Sequence, residues 1–123
     1  SLQPVVALDE FLREQAALRE VVSVEPNVTD YIVRLVAATR THRDVVLGAS
    51  ARASLGLYRL SQAKAWLDGQ QFVTPDLVKQ LAPAVLGHRL VLKPQSRIGG
   101  TRPEQVIAEC LQSVEVPLVR MTL

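Results

Sequence analysis

Several stretches of this chain place apolar residues three and four positions apart, which puts them on one face of an α-helix. The clearest stripe is formed by Val28, Tyr31, Ile32, Leu35 and Val36, and similar stripes begin near Leu55, Leu77 and Val106. Although 48% of the 123 residues are apolar, only 4% are aromatic, so the helices must pack around an aliphatic core. The spacing therefore predicts a mainly α fold.

Capping residues divide these stripes into about five helices. The predicted starts are Asp9, Asn27, Ser50, Thr74-Pro75 and a capping box at Thr101-Arg102-Pro103-Glu104. Runs of strand-like residues at Val21–Val24 and Arg89–Leu92 predict one minor two-strand pairing, whereas 43–49 is predicted to be a connector and 94–100 a loop. We expect a small helical bundle with this single pair of strands.

The third predicted helix, residues 51–68, carries apolar residues on most of its faces, including Leu55, Leu60 and Trp66. Such a helix is usually central and buried, so we expect packing roles for Trp66 and also for Cys110 on the last helix. Gly69 follows it directly and is typical of a helix C-terminus.

The charge of the chain is close to balanced, with 14 Lys and Arg against 12 Asp and Glu. A nucleic-acid-binding domain usually carries a stronger and clustered basic excess. The single cysteine, Cys110, suits a reducing compartment, and no apolar run approaches the roughly 20 residues that span a bilayer. We therefore expect a cytoplasmic protein with no membrane span and no bound nucleic acid.

Motifs for catalysis or metal binding are absent from the sequence. No lysine follows a glycine, so the phosphate loop G-x-x-x-x-G-K-[ST] is missing. The run Val5–Glu10 resembles a Walker B strand, but acidic residues at a helix start explain it as well. His42 and His88 do not combine with Cys110 at zinc-ligand spacing, so we expect ordinary polar or capping roles and no metal site. The 123-residue chain alone should neither hydrolyse ATP nor bind a cofactor.

The sequence Gly48-Ala49-Ser50-Ala51-Arg52 places an arginine at the second position of a helix. A cation there opposes the positive end of the helix dipole, at a cost of roughly 0.3–1 kcal/mol. The amide groups of a helix start together with a guanidinium suit a phosphate. From the residues alone, an ordinary surface arginine and an anion-binding arginine both remain open.

These residues belong to a longer resemblance to a known family. The segments Asp30–His42, Val46–Leu55, Ala65–Gly69, Phe72–Lys79 and Leu81–Leu90 look like the lid domain of MoxR-family AAA+ ATPases, and Leu2–Val6 is similar to the linker before that lid. The resemblance implies that residues 1–20 are a linker and first helix following an AAA+ large domain, that 21–116 form the lid, and that 117–123 are a tail.

The resemblance also implies a site. The family's G-A-S-P-R-A motif carries the sensor 2 arginine, which corresponds here to Arg52, with Gly48, Ala49 and Ser50 beside the nucleotide and Ala51 in place of the proline. It further implies ATP and Mg²⁺ held by the large domain, ATP hydrolysis by the intact protein, and neighbouring subunits in a ring. The expected role is chaperone-like remodelling of partner proteins, often ones with von Willebrand factor A domains.

Two other functions remain as alternatives. Helix pairs with short turns are common in nucleic-acid-binding modules, and Arg40, Arg43, Arg52 and Arg59 could form a basic stripe. The near-neutral charge and the expected burial of the third helix argue against that function. The second alternative is a protein-interaction module with no nucleotide role.

Overall fold

The structure is a computed structural model that describes residues 22–118. In this part the chain forms α1 (Pro26–Thr41), β1 (Val45–Leu47), α2 (Ala51–Leu67), α3 (Pro75–Leu86), a 3₁₀ turn (Gly87–Arg89), β2 (Val91–Leu92), α4 (Pro94–Ile98) and α5 (Pro103–Ser113). The predicted mainly α fold with one minor pair of strands is confirmed. The helix predicted to begin at Asp9 and the Walker B-like run Val5–Glu10 lie outside the described residues.

The two strands pair antiparallel, but the predicted pairing was wrong in one partner. Val45 lies opposite Leu92 and Leu47 opposite Val91, so β2 pairs with a segment predicted to be a connector. Val45 and Leu92 both point into a small apolar cluster with Val106 and Cys110 on α5, and burying them there brings the strands together. Packing of Cys110 is confirmed.

Val21–Val24 was predicted as the other strand, and its described part, residues 22–24, has a different role. Val22 is buried in the main core, and its carbonyl oxygen accepts a hydrogen bond of 3.1 Å from the Gln62 side chain. Ser23 forms only an isolated bridge with Phe72. The backbone of this segment is therefore satisfied by the chain around residues 62 and 71–73, and not by β2.

The main core lies between α1, α2 and α3, with α5 closing one side. It is aliphatic, as predicted, and its larger buried members are Val28, Tyr31, Ile32, Leu35, Leu57, Val78, Leu86 and Ile107. The helix α2 packs against both α1 and α3, so its predicted central position is confirmed.

The predicted burial of α2 on most faces was wrong. Leu55 is 47% exposed, Trp66 44% and Leu67 72%, so Trp66 is not the packed residue that was expected. The buried positions of the helix include the small residues Ala53 and Ala65. Small side chains let α1 and α3 approach closely on the inner side, whereas Leu55, Trp66 and Leu67 lie on the outer side.

Proline marks most helix starts in the described part of the chain. Proline occupies the first position of α1, α3, α4 and α5, where its fixed φ angle favours the helix and its missing N–H costs nothing. This explains three wrong boundaries: α1 begins before the expected cap Asn27, 94–98 is helical instead of a loop, and the residue before α5 is Arg102 instead of Thr101. Only α2 begins with a different residue, Ala51.

The end of α2 matches its sequence signal. Gly69 has a φ angle of 73°, and its N–H and that of Gln70 donate to the carbonyls of Trp66 and Ala65 at 3.0 and 2.8 Å. This pattern satisfies the last carbonyl groups of the helix and needs a residue that tolerates the left-handed region. No helix in residues 22–118 is long and apolar enough to cross a membrane.

Candidate functional site

The candidate site is the N-terminal turn of α2. Ser50 is the residue before the helix, with extended backbone angles (φ −85°, ψ 172°), and its hydroxyl makes no capping hydrogen bond. Its carbonyl instead accepts from the N–H of Ala53 at 2.9 Å. The first N–H groups of a helix have no partner inside the helix, so the amides of Ala51 and Arg52 need partners outside it, and both residues are exposed.

Arg52 is the second residue of α2, as predicted, and its side chain is exposed. The first turn of the helix contains no acidic residue. Within residues 22–118, no hydrogen bond or ion pair engages the guanidinium group. The turn thus offers several donors, namely backbone amides, the Ser50 hydroxyl and the guanidinium, and no carboxylate, which is the chemistry that binds a phosphate group.

The four predicted site residues lie within positions 48–52, but they differ in exposure. Ser50 and Arg52 are exposed, whereas Ala49 is buried and Gly48 is partly buried. The N–H of Ala49 donates to the Thr39 hydroxyl at 3.0 Å, and its carbonyl accepts from Nε of Arg40 at 2.9 Å. Because both polar backbone groups of Ala49 are engaged by α1, this residue has no free group with which to bind a ligand.

No role for Thr39 was predicted from the sequence, and Arg40 was predicted only as part of a basic stripe. Both residues are at the C-terminal end of α1, nine or ten positions before Ala49. A threonine inside an amphipathic stripe and a glycine at position 48 were the available signals. Neither shows by itself which backbone group the threonine would meet.

An apolar groove of about 500 Å³ runs between α1 and α2 and ends beside the candidate site. Its walls include Ile32 and Val33 from α1 and Leu55 and Tyr58 from α2, while Ala51 lines the end near Arg52. The outer side of α2 therefore combines an exposed arginine with an apolar surface.

A second polar cluster joins the end of α1 to α5. The Nδ1 atom of His42 accepts a 3.1 Å hydrogen bond from the backbone N–H of Asp44, and Nε2 contacts the Glu109 carboxylate. The Asp44 carboxylate also accepts from the Ser96 hydroxyl at 2.8 Å. The sequence analysis missed this cluster because His42 and Glu109 are 67 positions apart.

The ligand atoms of His42, Asp44 and Glu109 lie within 4.8 Å of one another, so this trio is the group in residues 22–118 that could hold a cation. Both ring nitrogens of His42 already have protein partners. The hydrogen bonds of His42 are therefore satisfied within the protein, and they link the end of α1 to α5. His88, the other histidine, is exposed in the 3₁₀ turn.

Two buried groups have shifted pKa values. Burial raises the pKa of the Cys110 thiol, and the charge of Glu109 raises it further. Burial also raises the pKa of the Tyr31 phenol; Arg34 opposes the shift and Asp76 adds to it. Both groups stay neutral near pH 7, which makes Cys110 a poor nucleophile and suits a packing role for it.

The basic stripe expected for a nucleic-acid-binding module is only partly available. The Nε of Arg40 is bound to the Ala49 carbonyl, and Nε of Arg43 lies 3.7 Å from the Asp44 carboxylate. Arg52 and Arg59 on α2 are exposed. Arg52 and Arg59 are therefore available to the phosphate backbone of a nucleic acid, whereas Arg40 and Arg43 already have protein partners.

The described fold is a small helical domain whose central helix begins with an exposed arginine and no acidic residue in its first turn. The AAA lid domain family matches residues 37–110 of this sequence. The chain belongs to the AAA lid domain family.

Comparison with individual proteins shows which AAA lid domains this chain is similar to. The chain is 36% identical to the uncharacterized protein YeaC of Bacillus subtilis over 98% of its own length, and 39% identical to the chaperone MoxR1 of Mycobacterium tuberculosis over 75%. The crystal structure of a candidate ATPase from Cytophaga hutchinsonii superposes with a TM-score of 0.76 at 28% identity and covers 80% of this chain. The chain is thus similar to the lid of MoxR-like AAA+ ATPases, and the resemblance found in the sequence is confirmed.

The chain spans only about a third of the proteins that it matches. It covers 37% of YeaC, 27% of MoxR1 and 33% of the Cytophaga hutchinsonii protein. The family model, in turn, covers the part of the chain that contains the end of α1, β1, all of α2 and α3, and most of α5. The candidate site at residues 48–52 lies within it.

Proposed function

We propose that this chain is the lid that closes over ATP bound to the large domain of the same protein, and that Arg52 is its sensor 2 arginine. The observation that carries the proposal is the exposed guanidinium of Arg52 at the start of α2, in a first turn without acidic residues. A helix start with this composition repels cations and attracts anions, so a phosphate group is the ligand that fits it best.

The donors at this site fit a nucleotide phosphate and do not fit a metal ion. The Ser50 hydroxyl, the amides of Ala51 and Arg52 and the guanidinium are hydrogen-bond donors, and no carboxylate stands among them in the first turn. Mg²⁺ prefers oxygen ligands such as carboxylates and phosphates. We therefore assign Mg²⁺ and most of the nucleotide to the large domain, and the γ-phosphate contact to the lid.

The chemical contribution of Arg52 is electrostatic. Negative charge shifts among the phosphate oxygens when the γ-phosphoryl group is transferred, and a fixed guanidinium that donates to those oxygens lowers the barrier. Closing the lid also removes water from around the charges, which strengthens the interaction. Ala51 still begins a regular helix although the family proline is absent, which supports the proposed role of Arg52.

The exposed apolar surface of the lid supports a proposal about the domains that it contacts. The groove between α1 and α2, together with exposed Val33, Leu55 and Trp66, leaves apolar surface beside Arg52, and such surface favours contact with another protein domain. We propose the large domain of the same chain and the neighbouring subunits of a ring as these contacts. Because one relative is named a chaperone, we also propose remodelling of partner proteins, von Willebrand factor A domain proteins included, in the cytoplasm.

The test is a pair of arginine substitutions in the full-length protein. Arg52→Ala should lower kcat for ATP hydrolysis at saturating ATP by roughly ten- to a thousand-fold, the range for losing one electrostatic stabiliser. Arg59→Ala, seven residues further along the same helix and also exposed, is the matched control and should change kcat little. Thermal melts should show both variants folded. Equal kcat values for the two variants, or a loss in Arg52→Ala that follows unfolding, would refute the assignment.

A further inference from the structure

We infer that Thr39 and Arg40 are positioning residues for Arg52, because they clamp the backbone of Ala49 and thereby hold the start of α2 in place. The inference rests on the proposed function of Arg52 and extends it to a second pair of residues. Neither Thr39 nor Arg40 needs to touch the nucleotide for this role.

The first half of the clamp is the Thr39 hydroxyl, which is completely buried. It donates to the Val36 carbonyl at 2.6 Å within its own helix. Its oxygen in turn accepts the N–H of Ala49 at 3.0 Å. The hydroxyl hydrogen is thus committed to α1, and a lone pair is directed at the segment before α2.

The second half is Arg40, the next residue along α1. Its Nε donates to the Ala49 carbonyl at 2.9 Å. The two polar backbone groups of Ala49 are therefore attached to consecutive residues of one helix. Since rotation or translation of Ala49 would break at least one of these bonds, the residue is held in both position and orientation.

Close backbone packing adds to the two hydrogen bonds. A Cβ atom built on Gly48 would lie 2.6 Å from the Cα atom and 2.7 Å from the backbone nitrogen of Arg40. Side chains do not tolerate such distances, so the backbone at residue 48 lies directly against α1. The clamp thus has a steric part that depends on glycine at this position.

The helix α2 needs such a clamp because it lacks the usual devices at its start. The other four described helices begin with proline, whereas α2 begins with Ala51. Ser50, the residue before the helix, also makes no side-chain capping bond. The place of the first turn is therefore set by the segment before it, and only Ser50 and Ala51 separate the clamped Ala49 from Arg52.

Loss of the contacts that hold Ala49 should affect catalysis more than nucleotide binding. A misplacement of about 1 Å in a group that acts on the reacting centre can cost on the order of a hundred-fold in rate. Because most of the nucleotide is bound by the large domain in the proposed function, a loosened clamp should lower kcat and leave KM for ATP nearly unchanged.

The test uses substitutions at Thr39 in the full-length protein. Thr39→Val keeps the shape and removes the hydroxyl, and it should lower kcat by about ten-fold or more while KM changes by less than about three-fold. Thr39→Ser keeps the hydroxyl and should retain nearly full activity. The control is Thr41→Val, since Thr41 is an exposed threonine of the same helix whose hydroxyl bonds only the Ala38 carbonyl.

A double substitution separates positioning from general destabilisation. In the Arg52→Ala background, Thr39→Val should cause no further loss of kcat, because the group that it positions is already gone. If Thr39→Val does not fold, Arg40→Met is the decisive variant, because methionine has a similar length and no donor for the Ala49 carbonyl. Arg40 is mostly exposed, so that variant should fold and lower kcat in the same way.

The outcomes distinguish the two proposals. If Arg52→Ala leaves kcat unchanged, the sensor 2 assignment itself is wrong. If Arg52→Ala lowers kcat but Thr39→Val and Arg40→Met behave like Thr41→Val, Arg52 keeps its role and the clamp has none. An additional loss from Thr39→Val in the Arg52→Ala background would also overturn the inference.

Discussion

The hydroxyl of Thr74 accepts a 3.2 Å hydrogen bond from the backbone N–H of Leu77 and so caps the start of α3. The equivalent residue at the start of α2, Ser50, makes no such bond. Two helix starts in one small domain thus differ in what their capping side chains do. The first uses its hydroxyl for stability, and the second leaves it available at the candidate site.

This difference gives a prediction about stability. Thr74→Ala should lower the free energy of unfolding by about 1 kcal/mol, the usual cost of losing a side-chain cap. Ser50→Ala should lower it by much less, because no capping bond is removed. Urea denaturation of both variants checks the prediction. Equal losses would show that the Ser50 hydroxyl caps α2 after all.

Gly48 is the position in the site segment that tolerates a side chain least. Gly48→Ala should destabilise the chain by about 1–3 kcal/mol, as overpacking does, because the new methyl group would overlap the backbone of Arg40. Gly56→Ala is the control. Its Cβ would find only Val85 at 4.0 Å, and alanine in a helix interior is favoured over glycine by about 0.5–1 kcal/mol.

Chemical denaturation of the two glycine variants should therefore show shifts of opposite sign. If Gly48→Ala unfolds at the same denaturant concentration as the natural sequence, the segment before α2 can move away from α1 at little cost. The steric part of the clamp would then be absent.

Tyr31 provides a prediction about alkaline pH. Its side chain is buried, and its hydroxyl has no hydrogen-bond partner in the described residues. Burial raises its pKa above the ordinary value of 10.0, so above about pH 10 the unfolded chain ionises before the folded one does. The stability associated with this group is complete below pH 10 and is lost as the pH rises further.

Tyr31→Phe should remove that loss. At pH 7 the variant should be as stable as the natural sequence or more stable by up to about 1 kcal/mol, because an unsatisfied buried hydroxyl is removed without changing the packing. Between pH 9 and 11 its unfolding free energy should fall less steeply. Tyr58→Phe, on the wall of the groove, is the control. A marked loss of stability in Tyr31→Phe at pH 7 would mean that the hydroxyl has a partner.

Features that depend on neighbouring residues could be predicted from the sequence. The stripe of Val28, Ile32 and Leu35 predicted α1, and the hydroxyl of Thr74 and the position of Gly69 marked helix ends where the structure has them. Arg52 was correctly placed at the second position of α2. Each of these follows from helical periodicity or from the backbone requirements of a single turn, which a local stretch of sequence contains.

The remaining features were decided by tertiary structure. The partner of β2 is β1 because Val45 and Leu92 share one apolar cluster with α5. Leu55 and Trp66 are exposed because, among residues 22–118, the helices α1 and α3 pack on the inner sides of α2. The hold of Thr39 and Arg40 on Ala49 likewise requires α1 and the segment before α2 to meet. The sequence by itself determined where helices form and where the arginine stands on its helix. Which surfaces are covered, and what holds the arginine in place, depend on contacts between distant residues, whose energies arise only when the helices pack.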